Sequence, residues 1–348
     1  EKGRGYAPAE NDDADQFHAI GQIDPGTGAS RLGAEAPSFT QVFRDKIVEL
    51  AEHDPRIVGI TAAMLAPSGL DAFAMQMPER VYDVGIAEQH AITTAAGMAY
   101  GGLHPVVAVY ATFLNRAFDQ VLMDVALHRA GVTLVLDRAG ITGPDGASHN
   151  GVWDLAALQL VPGMRIAAPR DAATLRKALE EAVVIDDAPT AIRFPKGAVG
   201  QEIPTVRSTG DGVDVLRDMP GERADILLVA VGPMARIALD AAVELESRGV
   251  SCTVIDPRWV IPVPDSVVQL AAQHRWVVSI EDGIRVGGVG TRIRQALREA
   301  DLSVGVTELG VGEGFLPHAS RAELLELSGL TAERIIEASL AALETQSS

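Results

Sequence analysis

Short apolar runs alternate with stretches of helical spacing along most of the chain. Ser38-Phe39-Thr40-Gln41-Val42-Phe43 opens a helix with Ser38 as its cap, and apolar residues at 43, 47, 50 and 51 keep the helical period. Residues 56–61 and 80–84 read as short buried strands. Residues 86–100 form a helix rich in Ala, Thr and Gly, suited to close packing. Strand 105–110, helix 118–128 and strand 131–136 follow. Strands alternating with helices predict parallel βαβ units and a doubly wound sheet. Gly, Pro, Asp and Arg break this rhythm over 197–222, which reads as a linker. A second α/β unit then begins: strand 224–231, helix 234–247 closed by Gly249, strands 250–255 and 276–280, and helix 288–300. Residues 1–36 are polar, lack periodicity and read as a connecting segment. The predicted division is therefore 1–36 linker, 37–196 first domain, 197–222 linker and 223–348 second domain.

The length of 348 residues suits two domains, and a hydrophobic content of 47% is ample for two cores. Lys plus Arg number 29 and Asp plus Glu 47, so the formal charge is 29 − 47 = −18. That balance argues against nucleic acid or an anionic membrane as partner. Cys252 is the single cysteine and sits in an apolar strand pattern, so it reads as core rather than nucleophile. No run of residues has the length and apolarity of a membrane span, no signal peptide is visible, and a cytoplasmic location is expected. The chain begins without Met, on Glu1-Lys2-Gly3-Arg4-Gly5-Tyr6, and reads like the middle of something longer.

Candidate chemistry concentrates in three blocks. Asp83-Val84-Gly85-Ile86-Ala87-Glu88-Gln89-His90 sets a carboxylate, Glu88, at the mouth of a helix just after a strand. Tyr110-Ala111-Thr112-Phe113-Leu114-Asn115-Arg116 follows a strand. Asp137-Arg138-Ala139-Gly140 leads into Gly143-Pro144-Asp145-Gly146-Ala147-Ser148-His149-Asn150-Gly151, a Gly-rich turn where backbone can approach a ligand. A histidine suits proton transfer near neutral pH, and a nearby aspartate can orient it or hold a substrate hydroxyl. The planar fork of Arg138 suits a phosphate or carboxylate. Two tempting motifs carry no chemistry. Gly210-Asp211-Gly212 has no asparagine downstream to complete a metal and diphosphate motif, and Gly287-Gly288-Val289-Gly290 is no dinucleotide fingerprint.

These three blocks, in order and spacing, resemble the pyrimidine-binding half of transketolase-like thiamine-diphosphate enzymes, and within them the 1-deoxy-D-xylulose-5-phosphate synthases. The resemblance runs from Lys2 to about Ala342. It implies a pyrimidine-binding domain with a mainly parallel sheet, followed by a transketolase C-terminal-like domain that packs and dimerises rather than catalysing. It implies thiamine diphosphate as cofactor and the joining of pyruvate to D-glyceraldehyde 3-phosphate with loss of CO2, feeding isoprenoid, thiamine and pyridoxal synthesis. Glu88 would activate the cofactor through its pyrimidine. Ile86 would hold it bent, Phe113 would stack on it, and Tyr6 would contact it. His149, His18 and Asp145 would manage protons and hydroxyls. Tyr110, Arg116, Arg138 and Lys196 would bind the acceptor and its phosphate. At Lys196 such enzymes more often carry arginine, so phosphate binding would lean more on Arg138 and Arg116. Arg193, three residues back on an extended chain, should face the other way.

The diphosphate and Mg2+ contacts would sit on an N-terminal domain that these 348 residues do not contain. The expectation is that this chain needs that other half, on a separate chain or otherwise supplied, to bind cofactor and turn over, and that it forms a homodimer. The β subunit of a 2-oxoacid dehydrogenase and the C-terminal half of a split transketolase share this domain pair. A non-catalytic scaffold is the reading from another class.

Overall fold

A computed structural model of the protein describes residues 3–12, 17, 22–29, 37–218 and 224–346. The chain forms two units, residues 1–37 and 38–348. In the first, Tyr6 precedes a one-turn helix, Ala7–Glu10, and meets Phe17 edge-on at 6.1 Å.

The second unit holds two sheets. The first contains β1 (Ile57–Thr61), β2 (Val81–Asp83), β3 (His104–Tyr110), β4 (Thr133–Asp137), β5 (Arg165–Ala167) and β6 (Thr190–Arg193). The second contains β7 (Arg207–Ser208), β8 (Asp214–Arg217), β9 (Ala224–Ala230), β10 (Cys252–Asp256), β12 (His274–Ile284) and β13 (Gly305–Val311). One further strand, β11 (Trp259–Ile261), comes from the second half of the chain but joins the first sheet. The first sheet runs β11-β5-β6-β4-β3-β1-β2, parallel throughout except for the antiparallel β11. The second runs β13-β12-β9-β10-β8-β7, parallel until the antiparallel β8 and β7. Strands β1, β3, β4 and β6 are buried along their whole length, as a sheet covered on both faces requires. Two α/β domains with mainly parallel sheets therefore stand as expected.

The local signals hold in detail. Ser38 Oγ accepts the Gln41 amide at 3.1 Å and starts the helix Phe39–His53. Gly249 follows the helix Ala235–Ser247 with φ +80°, and Cys252 is fully buried, with burial pushing its thiol up to about 12.

Three features differ from the sequence reading. The helix expected from 86 starts at Glu88, because Gly85 turns at φ +73° and the Ala87 amide closes onto the Gly85 carbonyl at 2.7 Å. The helix expected over 118–128 is α-helical only over Phe118–Gln120. It continues as a π-helix, Val121–Ala126, whose Asp124 carboxylate takes the Thr93 hydroxyl at 2.5 Å. The segment expected as a linker over 197–222 contains β7 and β8. Asp211 sits in the turn between them and accepts the Ser266 amide at 2.8 Å, so Gly210-Asp211-Gly212 is a hairpin turn. The Gly287-Gly288-Val289-Gly290 stretch wraps a buried carboxylate of its own chain. Glu281 accepts the amides of Val289 and Gly290 at 3.0 Å each, and burial pushes it up to about 7.

Candidate active site

The three motifs leave the carboxyl ends of β2, β3 and β4, where open parallel sheets place their ligand crevices. After β2, Asp83 Oδ1 accepts the amides of Ala63 (2.7 Å) and Gly85 (3.0 Å). That clamp and the left-handed Gly85 turn leave Ile86 78% exposed while Glu88, at the first turn of its helix, is 5% exposed. Arg116 Nη1 is 3.9 Å from Glu88 Oε2, too far for a hydrogen bond. A buried carboxylate beside an exposed aliphatic side chain thus keeps acceptor capacity for a ligand.

The segment after β3 bridges the first motif to the third. Arg116 reaches Glu88, while Tyr110 and Phe113 stack at 5.6 Å with their planes 18° apart. Phe113 meets the His149 ring edge-on at 5.7 Å, and the Arg138 guanidinium lies 3.9 Å over the Tyr110 ring. Burial pushes the Tyr110 phenol up to about 12, against the opposing pull of Arg138. Thr112 Oγ1 donates to the Ser148 carbonyl at 3.0 Å, fastening the third motif to the second.

Asp145 does not orient His149. Its two oxygens take Lys196 Nζ at 2.7 and 2.8 Å, with Arg138 Nε 3.5 Å away. Burial pushes its carboxyl up, but Lys196, Arg138 and His149 outweigh that and leave it below its ordinary value. The His149 ring nitrogen Nδ1 pairs instead with its neighbour Ser148 Oγ at 3.0 Å. The ammonium wins Asp145 because two short charge-assisted bonds exceed anything an imidazole offers. Lys196 is therefore not a free anion site. Arg138 and Lys196 share the Asp145 carboxylate, and an anionic ligand there would compete with it for both cations.

Arg193 turns away, as expected, and is 1% exposed between Asp154 (2.6 Å) and Asp282 (3.0 Å). Tyr6 belongs to the first unit, and His18 lies outside the described residues. Sequence reasoning passed over Asp137, which is buried, takes the Thr40 hydroxyl at 2.5 Å and is pushed up to about 6 by burial. An acidic residue closing an all-apolar strand was its signal. It also passed over Asp282 and Arg321, which had no local signal tying them to the site.

Comparison with known proteins identifies both domains. Residues 35–201 match the family described as the transketolase pyrimidine-binding domain, and residues 217–335 the transketolase C-terminal domain. Similar curated proteins are named 1-deoxy-D-xylulose-5-phosphate synthase. The one from Clavibacter sepedonicus is 64% identical over 335 residues, covering 96% of this chain and 51% of its own length. The one from Leifsonia xyli is 62% identical with the same coverage. The chain thus spans about half the length of the curated relatives it matches. A solved split-gene transketolase, described as an inactive beta4 tetramer, superposes with a TM-score of 0.78 at 30% identity, covering 89% of this chain and 99% of that one.

Proposed function

The chain belongs to the transketolase family, and from that premise we propose that it is the part of a 1-deoxy-D-xylulose-5-phosphate synthase that receives the pyrimidine end of thiamine diphosphate. The reaction would join pyruvate to D-glyceraldehyde 3-phosphate with release of CO2. Names and identities of the relatives support this choice among transketolase-like reactions. The observation that carries the site is the buried Glu88 carboxylate, left with acceptor capacity beside the exposed Ile86.

Thiamine diphosphate, when bound, supplies the carbanion that adds to carbonyl groups. The chain's residues supply the rest. Glu88 holds a proton against the pyrimidine ring nitrogen. Ile86 and Phe113 would present apolar surface to the rings, and the resemblance adds Tyr6 as a cofactor contact. His149 would move protons at the substrate oxygens, a role the resemblance also gives to His18, and Asp145, fixed by Lys196, would receive a hydroxyl. Arg116, Arg138, Tyr110 and Lys196 hold the acceptor phosphate. We assign Mg2+ and the diphosphate to a diphosphate-binding domain beyond these 348 residues. Activity then requires that domain as well, in a cytoplasmic homodimer. The working division is 1–36 linker, 37–196 pyrimidine-binding domain, 197–222 connection and 223–348 C-terminal-like domain.

A second reading, half of a split transketolase, is favoured by the likeness to the split-gene structure. Combining this chain with a diphosphate-binding domain, thiamine diphosphate and Mg2+ separates the two. Pyruvate-dependent CO2 release and deoxyxylulose phosphate formation, lost about 100-fold or more in Glu88→Gln, are expected. Turnover only with a ketose donor would replace the synthase with transketolase. Undiminished turnover in Glu88→Gln would remove Glu88 from the mechanism.

A further inference from the structure

The block that carries Asp145 and His149 has little regular structure. Its residues Arg138, Gly140, Gly143 and Gly146 all take positive φ (+58°, +73°, +91° and +86°), and its one helical turn is Ala147–His149. A two-way backbone clasp, Gly140 with Gly151 at 2.8 Å in both directions, closes it, and the buried Asn150 side chain accepts the Thr142 amide at 2.9 Å and donates to the Gly146 carbonyl at 3.3 Å within it. These ties hold the loop together internally, and contacts with other elements set where it sits.

Thr112 and Lys196 hold it from the first domain, and further support comes from the second half of the chain. Asp282, near the end of β12, is fully buried and grips Arg321 Nη2 at 3.0 Å. The other terminal nitrogen of Arg321 donates to the Ile141 carbonyl, inside the loop. A Cβ on Gly140 would fall within the Asp282 carboxylate, and one on Gly143 would lie 2.6 Å from the Arg321 backbone nitrogen. Just past the loop, the Ile284 amide donates to the Val152 carbonyl at 2.7 Å. The loop is therefore cast against β12 and the start of the helix Arg321–Leu327 on one side, while its other side presents Asp145 and His149.

We propose that Asp282 and Arg321 are positioning residues that set the place of Asp145 and His149 through Ile141. The C-terminal-like domain then contributes to turnover. Its reach is indirect, because neither residue bonds to Asp145 or His149. The kinetic arm of this inference rests on the function proposed above; the structural arm does not.

The test uses the enzyme with its diphosphate-binding domain and compares Arg321→Met, Arg321→Lys and Arg170→Met. Arg170 is the control. It is a buried arginine joining the two sheets, bonded to Asp214 (2.7 Å) and Asp256 (2.8 Å), with no bond to the loop. Arg321→Met is expected to speed amide exchange at Gly140 and Gly151 at least tenfold. It should lower kcat by about 10- to 100-fold, as displaced catalytic groups do. Arg321→Lys, keeping the charge but not the two-point bridge, should fall between. Arg170→Met should lower Tm without either effect. Arg321 is only partly buried, so its lysine variant carries the same test if the methionine variant does not fold. Unchanged exchange at Gly140 and Gly151 in the Arg321 variants would overturn the inference even if turnover fell. Should wild-type enzyme fail to use pyruvate, the functional reading fails while the exchange measurement still decides the positioning role.

Discussion

Replacing Arg193 with methionine leaves two buried carboxylates, Asp154 and Asp282, without the cation between them. The guanidinium is 1% exposed, 2.6 Å from Asp154 Oδ2 and 3.0 Å from Asp282 Oδ1. Methionine matches much of its volume, so the loss is electrostatic rather than a cavity. Breaking a buried pair by removing one partner costs about 3–5 kcal/mol. At about 2 °C per kcal/mol for a unit this large, Tm should fall by about 6–10 °C at pH 7.5.

The pH dependence has a definite sign. Burial already holds the Asp154 carboxyl above its ordinary value, against the pull of Arg193. Burial also works to raise Asp282, but Arg193 and Arg321 outweigh it and hold that carboxyl low. Without Arg193 both rise, and a carboxyl raised on folding contributes stability at low pH that is lost as pH climbs through its folded value. The deficit of the variant should therefore be smaller at pH 5.5 than at pH 7.5. Adding Asp154→Asn should recover part of it at pH 7.5. Calorimetric scans at both pH values check this. A Tm drop under 2 °C, or a deficit that grows on acidification, would refute the electrostatic account.

Asp137→Asn should stabilise the protein at pH 7.5. Burial pushes this carboxyl from 3.8 to about 6, which costs its ionised form about 3 kcal/mol as an upper bound. Because the folded value is raised, the gap between variant and wild type should shrink at pH 4.5; an equal gap at both pH values would contradict the burial argument. Lys196→Met in the complete enzyme should raise KM for the phosphorylated acceptor by roughly 10- to 100-fold, the worth of one charged hydrogen bond. It should lower kcat/KM for unphosphorylated glyceraldehyde far less, through the freed Asp145 alone, and equal losses on both acceptors would remove the phosphate role. Cys252, buried and pushed up to about 12, should resist iodoacetamide at pH 7.5 and react fully in denaturant; rapid labelling of folded protein would contradict its burial.

Much of this protein is legible in local chemistry. Ser38 caps a helix because its hydroxyl reaches an amide three residues on. The apolar runs of β3 and β4 can only be covered strands. Gly85 allows the turn that buries Glu88 and exposes Ile86. These follow from interactions within a few residues, which residue order specifies directly, and so the elements that carry the three candidate motifs could be read in sequence.

Long-range pairing could not. Nothing near Trp259 says that β11 crosses to the first sheet, because strand partnership depends on which edge is left free after both domains pack. The choice of Lys196 over His149 as partner for Asp145 is a competition between groups far apart in the chain, settled by distance and charge. Arg193, Asp282 and Arg321 each look like ordinary polar residues in sequence. Only folding brings them together, and it is the desolvation of Arg193 and Asp282 that makes their ion pairs matter.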